Sequence, residues 1–308
     1  MFLRTIERKE HRAMTFSHRL TVAIRQKKTP VLVGLDPRLD LIPASLRTGA
    51  APAAVLERFC CEIIDIVASL VPAVKLQAAF FEQYGPDGML ALANVIRSAR
   101  ESGLLVIFDG KRNDVAGTAE AYAAGILGER SAWGADALTV SPYLGDDSIM
   151  PFVHTATERD AGVFVLVKTS NPGGAMFQDL DASGMTVYRH VAEYVQSLAL
   201  RTKGDDGKYG QIGAVVGATW PQQLAELRKI MPNAWLLVPG FGAQGGSATD
   251  VAAAFDADGL GAIINNSRGI IFAHTRKEFA KYGETNWRRA VEAATRDMID
   301  RIGELRRD

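Results

Sequence analysis

Short apolar runs recur along the chain, and segments with apolar residues every three or four positions separate most of them. A short, continuous apolar run is typical of a strand that is buried on both faces, as in a parallel sheet. We predict that eight such runs are β-strands: Val31–Leu35, Ala73–Leu76, Leu104–Phe108, Ala137–Val140, Val163–Val167, Ala214–Val216, Leu236–Val238 and Ala262–Ile264.

The intervening segments have helical periodicity. They are Ala53–Leu70, Met89–Arg100, Ala116–Leu127, Thr186–Leu200 and Pro221–Ile230. Strands that alternate with helices predict a parallel sheet, and eight repeats favour a single-domain α/β fold, the closed (β/α)₈ TIM barrel. The runner-up is an open Rossmann-type sheet, but no Gly-x-Gly-x-x-Gly motif follows the first strand.

The two ends of the chain differ from this repeating pattern. Residues 1–14 are expected to form an N-terminal extension. Its residues 1–13 are highly charged and lack apolar periodicity, so we expect them to be dispensable, either a disordered arm or an artefact of start-site choice. Residues 15–308 are expected to form the barrel, with a helical C-terminal tail over Glu284–Asp308. The polar stretch 203–208 is typical of a solvated loop insertion.

Composition argues against several classes of partner. The chain has 308 residues, with 35 basic and 35 acidic side chains and a formal net charge of zero, so nothing suggests bulk attraction to nucleic acid or membrane. No transmembrane run or signal peptide is apparent. The adjacent Cys60 and Cys61 cannot form an ordinary disulfide, which fits a reducing, cytoplasmic location.

The most informative motif is Asp109–Asp114, with the sequence Asp-Gly-Lys-Arg-Asn-Asp, at the end of the third run. Side chains alternate along a strand, so Asp109 and Lys111 can point the same way. Nearby negative charge favours the ammonium form of a lysine, which suits a proton donor to a developing carbanion better than a nucleophile. The alternative is a structural ion-pair cluster in which Asp114 caps the next helix.

Polar residues follow the other runs as well. In a barrel, functional groups lie at the carboxyl ends of the strands. Lys75 stands out because a charge inside an apolar run must reach a partner or a cleft, whereas Asp36, before a proline, could simply start a turn. The strand ends carry, in order, Asp36, Lys75, the Asp109/Lys111/Asp114 group, Ser141, Ser170, Thr219, Gln244 and Arg268.

The last two runs predict a phosphate site. Pro239–Gly246 is a glycine-rich loop whose backbone N–H groups can approach an anion. Arg268 follows the eighth run and offers a guanidinium suited to phosphate, and barrels frequently bind phosphate between these two loops. The five histidines show no metal-ligand spacing and no cofactor fingerprint is visible, so we expect neither a metal nor a cofactor.

These residues resemble those of a known family, orotidine 5′-phosphate decarboxylase in its longer bacterial (type 2) branch. The resemblance implies a lyase without a cofactor, a homodimeric barrel that converts orotidine 5′-phosphate to uridine 5′-phosphate and carbon dioxide in the last step of de novo UMP biosynthesis. One departure is the eighth run, which ends Asn-Asn-Ser-Arg where shorter relatives have glycine and arginine. The matching residues are Asp109–Asp114 with Thr118, Thr169–Gly173, Pro239–Gly246 and Arg268.

The resemblance also implies a role for each residue. Lys111 would protonate the ring carbon that loses carbon dioxide, Asp109 would lie beside the departing carboxylate, and Asp114 would enter from the partner subunit. The implied substrate contacts are Asp36, Lys75 and Thr118 of the partner subunit at the ribose, Ser170 at the pyrimidine, Gln244 between base and phosphate, and Gly245 with Arg268 at the phosphate.

Two other classes remain open at this point. Related barrels use the same Asp-x-Lys-x-x-Asp pattern, with further acids, to bind magnesium for aldolase or decarboxylase chemistry on sugar phosphates. Such sites should carry another acid at the second or third strand end, whereas here the second run ends Lys-Leu-Gln-Ala and Glu82 lies within the following helix. A non-enzymatic sugar-phosphate-binding barrel would not need the lysine–carboxylate group.

Overall fold

The computed structural model describes residues 14–204, 207–242 and 248–305. Within these ranges, eight parallel strands close into a barrel. Each strand overlaps one of the predicted apolar runs. The strands are β1 (Val31–Leu35), β2 (Ala73–Gln77), β3 (Leu105–Arg112), β4 (Ala137–Val140), β5 (Gly162–Lys168), β6 (Ile212–Val216), β7 (Leu236–Val238) and β8 (Ala262–Asn266).

The barrel closes between its first and last strands. Val31 of β1 lies opposite Ile264 of β8, and β1 also pairs with β2. The order around the ring is therefore β1-β8-β7-β6-β5-β4-β3-β2. The predicted single-domain TIM barrel is confirmed, and the open Rossmann-type sheet is excluded because β1 and β8 pair with each other.

Apart from the first helix, which precedes β1, the helices follow the strands and cover the outside of the barrel. Every helix predicted from periodicity is present with small shifts at its ends. The longer helices are α1 (Phe16–Lys27), α2 (Pro52–Val67), α3 (Gly85–Glu101), α4 (Ala116–Leu127), α5 (Asp146–Glu158), α6 (Val187–Arg201), α7 (Pro221–Ile230) and α8 (Trp287–Glu304). Short α-helical turns lie at Ala44–Arg47, Ala79–Glu82, Ala175–Gln178, Ala248–Val251 and Arg268–Ile271, 3₁₀ turns at Leu39–Leu41, Pro172–Gly174, Ala252–Ala254, Ala273–Thr275 and Lys277–Tyr282, and a two-stranded hairpin at Asp181–Ala182 and Met185–Thr186.

Helix α1 packs at the amino ends of the barrel strands. Phe16, Leu20 and Ile24 recur at four-residue spacing and are fully buried in one cluster with barrel residues such as Trp235. Four-residue spacing places them on one face of the helix. The backbone N–H of Phe16 donates to the carbonyl of Asp160, just before β5. This end of the barrel is therefore filled with apolar side chains, which leaves the carboxyl end for a cavity.

The C-terminal tail packs against the barrel as its periodicity predicts. Helix α8 buries the expected apolar side chains on one face, and the Trp287 ring lies 5.3 Å from the ring of Phe59 on α2. Residues 1–13 fall outside the described ranges, so the predicted dispensability of the N-terminal extension stays a prediction. The buried residues of α8 include Trp287, Val291, Ala294, Met298 and Ile302.

Candidate active site

A cavity of about 500 Å³ opens among the carboxyl ends of the barrel strands, which is within the range of small-molecule sites. It brings together several side chains that are far apart in the sequence. Apolar residues of β5, β6 and β7 also line it, so charged groups face a partly apolar space. The predicted site residues that line the cavity are Asp36, Lys75, Asp109, Lys111, Ser170 and Arg268.

Asp109 is the centre of the polar network in this cavity. Its Oδ2 accepts from Lys75 Nζ at 2.6 Å and from Gln77 Nε2 at 3.2 Å. Its Oδ1 accepts from Lys111 Nζ at 2.7 Å and from Thr139 Oγ1 at 2.8 Å. Because the donors come from β2, β3 and β4, the carboxylate is fixed by three neighbouring strands.

The charges of this network stabilise one another. Burial by itself would raise the pKa of Asp109, but the ammonium groups of Lys75 and Lys111 and their hydrogen bonds outweigh it and hold this pKa well below its usual range. For Lys75, burial opposes the charge, yet the carboxylates of Asp109 and Asp36 raise its pKa above the usual value. The site therefore holds an ionised carboxylate next to ammonium groups at neutral pH.

Lys111 occupies an unusual backbone position. Its φ of 45° lies in the left-handed region, which is uncommon for residues other than glycine. Its backbone N–H donates to Thr139 Oγ1 at 3.0 Å, and the strand register between β3 and β4 shifts at this point. The Lys111 side chain is 44 % exposed, against 8 % for that of Asp109. The expectation that Asp109 and Lys111 point the same way is met, with the lysine nearer the solvent.

Lys75 connects the network to β1. Its Nζ lies 3.7 Å from Asp36 Oδ1 as well as 2.6 Å from Asp109 Oδ2. Asp36 follows β1 directly, so it contributes to the cavity and does more than start a turn. Two carboxylates and one ammonium group thus form a line along the ends of β1, β2 and β3.

Arg268 lines the cavity three strands around the barrel from β3. The Asn-Asn-Ser sequence before it has a local role, because Asn266 Oδ1 accepts from the backbone N–H of Gly269 at 3.1 Å and so holds the short helix Arg268–Ile271. A side chain at Gly34 of β1 would clash with Ser267, with a Cβ 1.9 Å from the Ser267 Oγ, so the glycine makes room for this turn. Arg268 is exposed, and its guanidinium has no ion-pair partner among the described residues.

Ser170 lines the opposite part of the cavity, two residues after β5. Its carbonyl accepts from Thr219 Oγ1 at 3.0 Å, which accounts for Thr219 without placing it in the cavity. The predicted loop residues Gln244 and Gly245 lie outside the described residues, so their roles stay predictions.

Asp114 and Thr118 are not brought to the cavity by this chain. Asp114 Oδ1 accepts from the backbone N–H of Val115, Thr118 is exposed on the first turn of α4, and neither lines the cavity in the part of the chain that the structure describes. The N-cap residue of α4 is Val115, so Asp114 does not cap this helix, contrary to the alternative interpretation of the motif.

Sequence reasoning did not assign a role to Thr139 or Gln77, although both line the cavity and donate to Asp109. Thr139, like Lys75, is a polar residue inside a run that is otherwise apolar, but it carries no charge. Among the described residues no cluster of three or more histidine, cysteine or carboxylate side chains could hold a metal ion. Glu82, the first acid that follows the second strand in the sequence, instead pairs with Arg112.

The fold and site define an enzyme of the (β/α)₈ barrel class with a lysine–carboxylate network at the carboxyl end of its sheet. A sequence model described as "Orotidine 5'-phosphate decarboxylase / HUMPS family" matches residues 29–282. A protein from Rhodopirellula baltica named orotidine 5′-phosphate decarboxylase is 56 % identical over 300 residues, which is 94 % of this chain and 99 % of the relative.

Solved structures agree with this assignment. The chain resembles the OMP decarboxylase of Leishmania donovani with a TM-score of 0.77 and 33 % identity, over 96 % of this chain and 100 % of that one. It resembles a putative orotidine 5′-phosphate decarboxylase from Streptomyces avermitilis with a TM-score of 0.80 and 33 % identity, over 96 % and 97 % of the two chains. This chain belongs to the orotidine 5′-phosphate decarboxylase / HUMPS family.

Proposed function

We propose that this protein is a carboxy-lyase that converts orotidine 5′-phosphate to uridine 5′-phosphate and carbon dioxide. The observation that carries the proposal is the buried Asp109 carboxylate held between the ammonium groups of Lys75 and Lys111 at a cavity wall. Relatives over nearly the full length of the chain carry the name of this activity. The magnesium-dependent alternative lacks support, because Glu82 is paired with Arg112 and the described residues offer no metal cluster.

The chemistry follows from the charges. The bond between the substrate ring carbon and its carboxylate breaks, the electron pair stays on the ring carbon, and carbon dioxide leaves. Lys111, whose Nζ lies 2.7 Å from Asp109 Oδ1, then donates a proton to that carbon. A fixed positive charge stabilises the developing carbanion without reorganising in the transition state.

Substrate binding uses the rest of the cavity wall. We propose that Lys75 and Asp36 contact the ribose hydroxyls, Ser170 the pyrimidine, and Arg268 the phosphate. Arg268 suits a phosphate dianion because it is exposed and has no ion-pair partner among the described residues. Phosphate binding remote from the reacting carbon helps to hold the reacting end in place. Gln244 and Gly245, outside the described residues, keep the base–phosphate and phosphate roles as predictions.

We further propose a homodimer whose subunits complete each other's sites, with Asp114 and Thr118 reaching the partner's cavity. Two observations support this arrangement. Neither residue lines its own cavity within the described chain, and both lie at the start of α4 near the barrel mouth. Ala119 and Ala123 of α4 face the protein's own core, while other alanines of the helix are exposed and would allow a second surface to pack closely.

Two inactive variants test the shared site. Neither the Lys111→Ala nor the Asp114→Ala homodimer should be active. Mixing them and allowing subunits to exchange puts both changes into one site of each heterodimer and leaves the other intact, so activity should return. If exchange is verified by mass spectrometry and no activity returns, Asp114 serves its own subunit.

In the part of the chain that the structure describes, no helix has the length and apolar character needed to cross a bilayer. We propose a cytoplasmic location on a separate ground, since both cysteines are free thiols, Cys60 buried and Cys61 half-buried. We also propose that residues 1–13 are dispensable for the barrel.

Turnover of orotidine 5′-phosphate by the purified protein with a chelator present tests the function. We expect uridine 5′-phosphate and carbon dioxide in equal amounts, at a rate unchanged by the chelator. Loss of the activity in chelator would instead indicate the magnesium-dependent class. Binding of the nucleotide without turnover would indicate a non-enzymatic binding protein.

A further inference from the structure

A second lysine is buried at the end of a barrel strand, and the function proposed above does not use it. Lys168 is the last residue of β5 and is 1 % exposed. It does not line the cavity within the described chain, although the three residues that follow it do. A buried ammonium group is costly unless it is compensated, so its surroundings should indicate what it does.

Three groups surround the Lys168 ammonium. Its Nζ donates to Asp179, which follows the short helix Ala175–Gln178, and Asp179 remains 40 % exposed. The same Nζ lies 5.3 Å from the ring centroid of Tyr188 and 5.1 Å from that of Trp220, within the range of cation–π contacts. The lysine thus connects the end of β5 to Asp179, eleven residues later in the chain.

The segment tied in this way carries part of the cavity wall. Gln178, next to Asp179, accepts from the backbone N–H of Thr169 at 3.0 Å and donates to Thr169 Oγ1 at 2.8 Å. Trp220 Nε1 donates to the carbonyl of Thr169 at 2.9 Å. Thr169, Ser170 and Gln178 all line the cavity. Asp179, Gln178 and Trp220 therefore hold Lys168 and Thr169, the two residues directly before Ser170.

Stability alone does not explain this arrangement. Replacing a buried ion pair by apolar residues is often neutral or stabilising, so such a pair is weak evidence for a stabilising role. The backbone of Ser170 is closely packed against Gly217, the residue after β6, since a Cβ on Gly217 would lie 2.7 Å from the Ser170 Cα. A small displacement of this backbone would move the Ser170 side chain relative to the cavity.

We propose that Lys168 is a positioning residue: through Asp179 it holds residues 169–179 against the barrel and so sets Ser170 and Gln178 at the pyrimidine end of the cavity. This proposal rests on the proposed function, because it takes Ser170 to contact the substrate base. Lys168 itself touches no substrate.

The first test compares Lys168→Met with a matched control. Lys168→Met keeps the length of the apolar stem, and the half-exposed Asp179 can be hydrated. The control is Arg19→Met, which removes an ion pair with Asp136 at the amino ends of the strands, away from the cavity. We expect kcat/KM for orotidine 5′-phosphate to fall by about tenfold or more in Lys168→Met and to stay within about twofold of wild type in Arg19→Met.

A double-mutant cycle separates positioning from general destabilisation. In the Ser170→Ala background, Lys168→Met should lower kcat/KM by less than about threefold further. In the Arg268→Ala background, at the phosphate end, the effects of the two substitutions on kcat/KM should multiply. Asp179→Asn should lower kcat/KM as Lys168→Met does, whereas Asp179→Glu, which keeps the carboxylate, should retain most of the wild-type kcat/KM. Effects that multiply fully with Ser170→Ala, or a Lys168→Met enzyme with wild-type kcat/KM, would overturn the proposal.

Hydrogen exchange gives a readout that does not depend on the reaction. Backbone amides of residues 169–179 should exchange faster in Lys168→Met than in wild type, and their exchange rates should be unchanged in Arg19→Met. If wild type fails to turn over orotidine 5′-phosphate, the proposed function is wrong. The proposed tether, in which Lys168 holds residues 169–179 against the barrel, is then tested by hydrogen exchange alone. Unchanged exchange in Lys168→Met would overturn the tether.

Discussion

Among the residues that the structure describes, two lysines are buried in the barrel, and they differ in what surrounds them. Lys75 of β2 and Lys168 of β5 are 4 % and 1 % exposed. Lys75 faces two carboxylates that line the cavity, whereas Lys168 faces one half-exposed carboxylate and two aromatic rings behind the cavity wall. The partners of each buried lysine therefore indicate whether its charge faces the cavity or supports residues that line the cavity.

The partners also determine the cost of removing each lysine. Asp109 is nearly buried, so without Lys75 one carboxylate would remain in a poorly hydrated site with only Lys111 to balance it. Asp179 is 40 % exposed, so without Lys168 it can take hydrogen bonds from water. The two positions should respond very differently to the same substitution.

The largest expected difference is between Lys75→Met and Lys168→Met. Breaking a buried pair by removing one partner costs about 3 kcal/mol of unfolding free energy, and Lys75→Met should approach that value. We expect its kcat/KM to fall by at least about a thousandfold, equivalent to roughly 4 kcal/mol in the transition state. Urea unfolding and turnover of orotidine 5′-phosphate measure both. Equal losses for the two variants would show that the lysines are not distinguished by their partners.

Arg268 extends the comparison to a cation that is exposed. Arg268→Ala should leave stability nearly unchanged and raise KM for orotidine 5′-phosphate by about 10- to 100-fold, since hydrogen bonds to charged groups contribute roughly 1.5–3 kcal/mol. A substrate that lacks the phosphate should react equally well with variant and wild type. An unchanged KM for the phosphorylated substrate would contradict the phosphate assignment.

The pH dependence of stability gives a smaller effect that is specific to the Lys75 network. The pKa of Asp109 is lowered on folding, so its stabilisation is present above about pH 4 and is lost as the pH falls further. The pKa of Lys75 is raised, so its contribution is present below about pH 10 and is lost as the pH rises further.

Urea unfolding between pH 7 and pH 3 measures the acid side of this effect. Asp109→Asn should remove on the order of 1 kcal/mol of the decrease in unfolding free energy that wild type shows over this range. Asp181→Asn, an exposed carboxylate of the small hairpin, serves as the control. A wild-type decrease that Asp109→Asn leaves intact would show that other carboxylates cause it.

Much of this fold was predictable because the barrel strands are buried on both faces. The run Val31–Leu35 is apolar throughout and forms β1 over the same residues. The end of β3 was harder, because Asp109 pairs with Gln77 of β2 and Lys111 still lies within the strand, although their polarity suggests a loop. Periodicity cannot distinguish a polar residue that ends a strand from one that continues it into a site.

The candidate site was predicted in part for the same reason. Lys75 interrupts an apolar run, so its charge required a partner, whereas Lys168 follows directly after such a run, where the sequence pattern does not require a buried partner. Thr139 has no charge to draw attention, and only the structure shows it between Asp109 and the backbone of Lys111. The partners of these residues come from distant parts of the chain, which sequence spacing does not reveal.

We propose that Lys111, whose Nζ donates to Asp109 Oδ1 at 2.7 Å, delivers the proton that completes decarboxylation. The direct test is kcat for orotidine 5′-phosphate in Lys111→Ala, together with the Kd of a substrate analogue, with the exposed Lys229→Ala on α7 as the control. We expect kcat to fall by more than about a thousandfold, while the analogue's Kd changes by less than about tenfold, because the lost interaction acts mainly on the transition state. Retention of even about a tenth of the wild-type kcat would contradict the role of Lys111 as the essential proton donor.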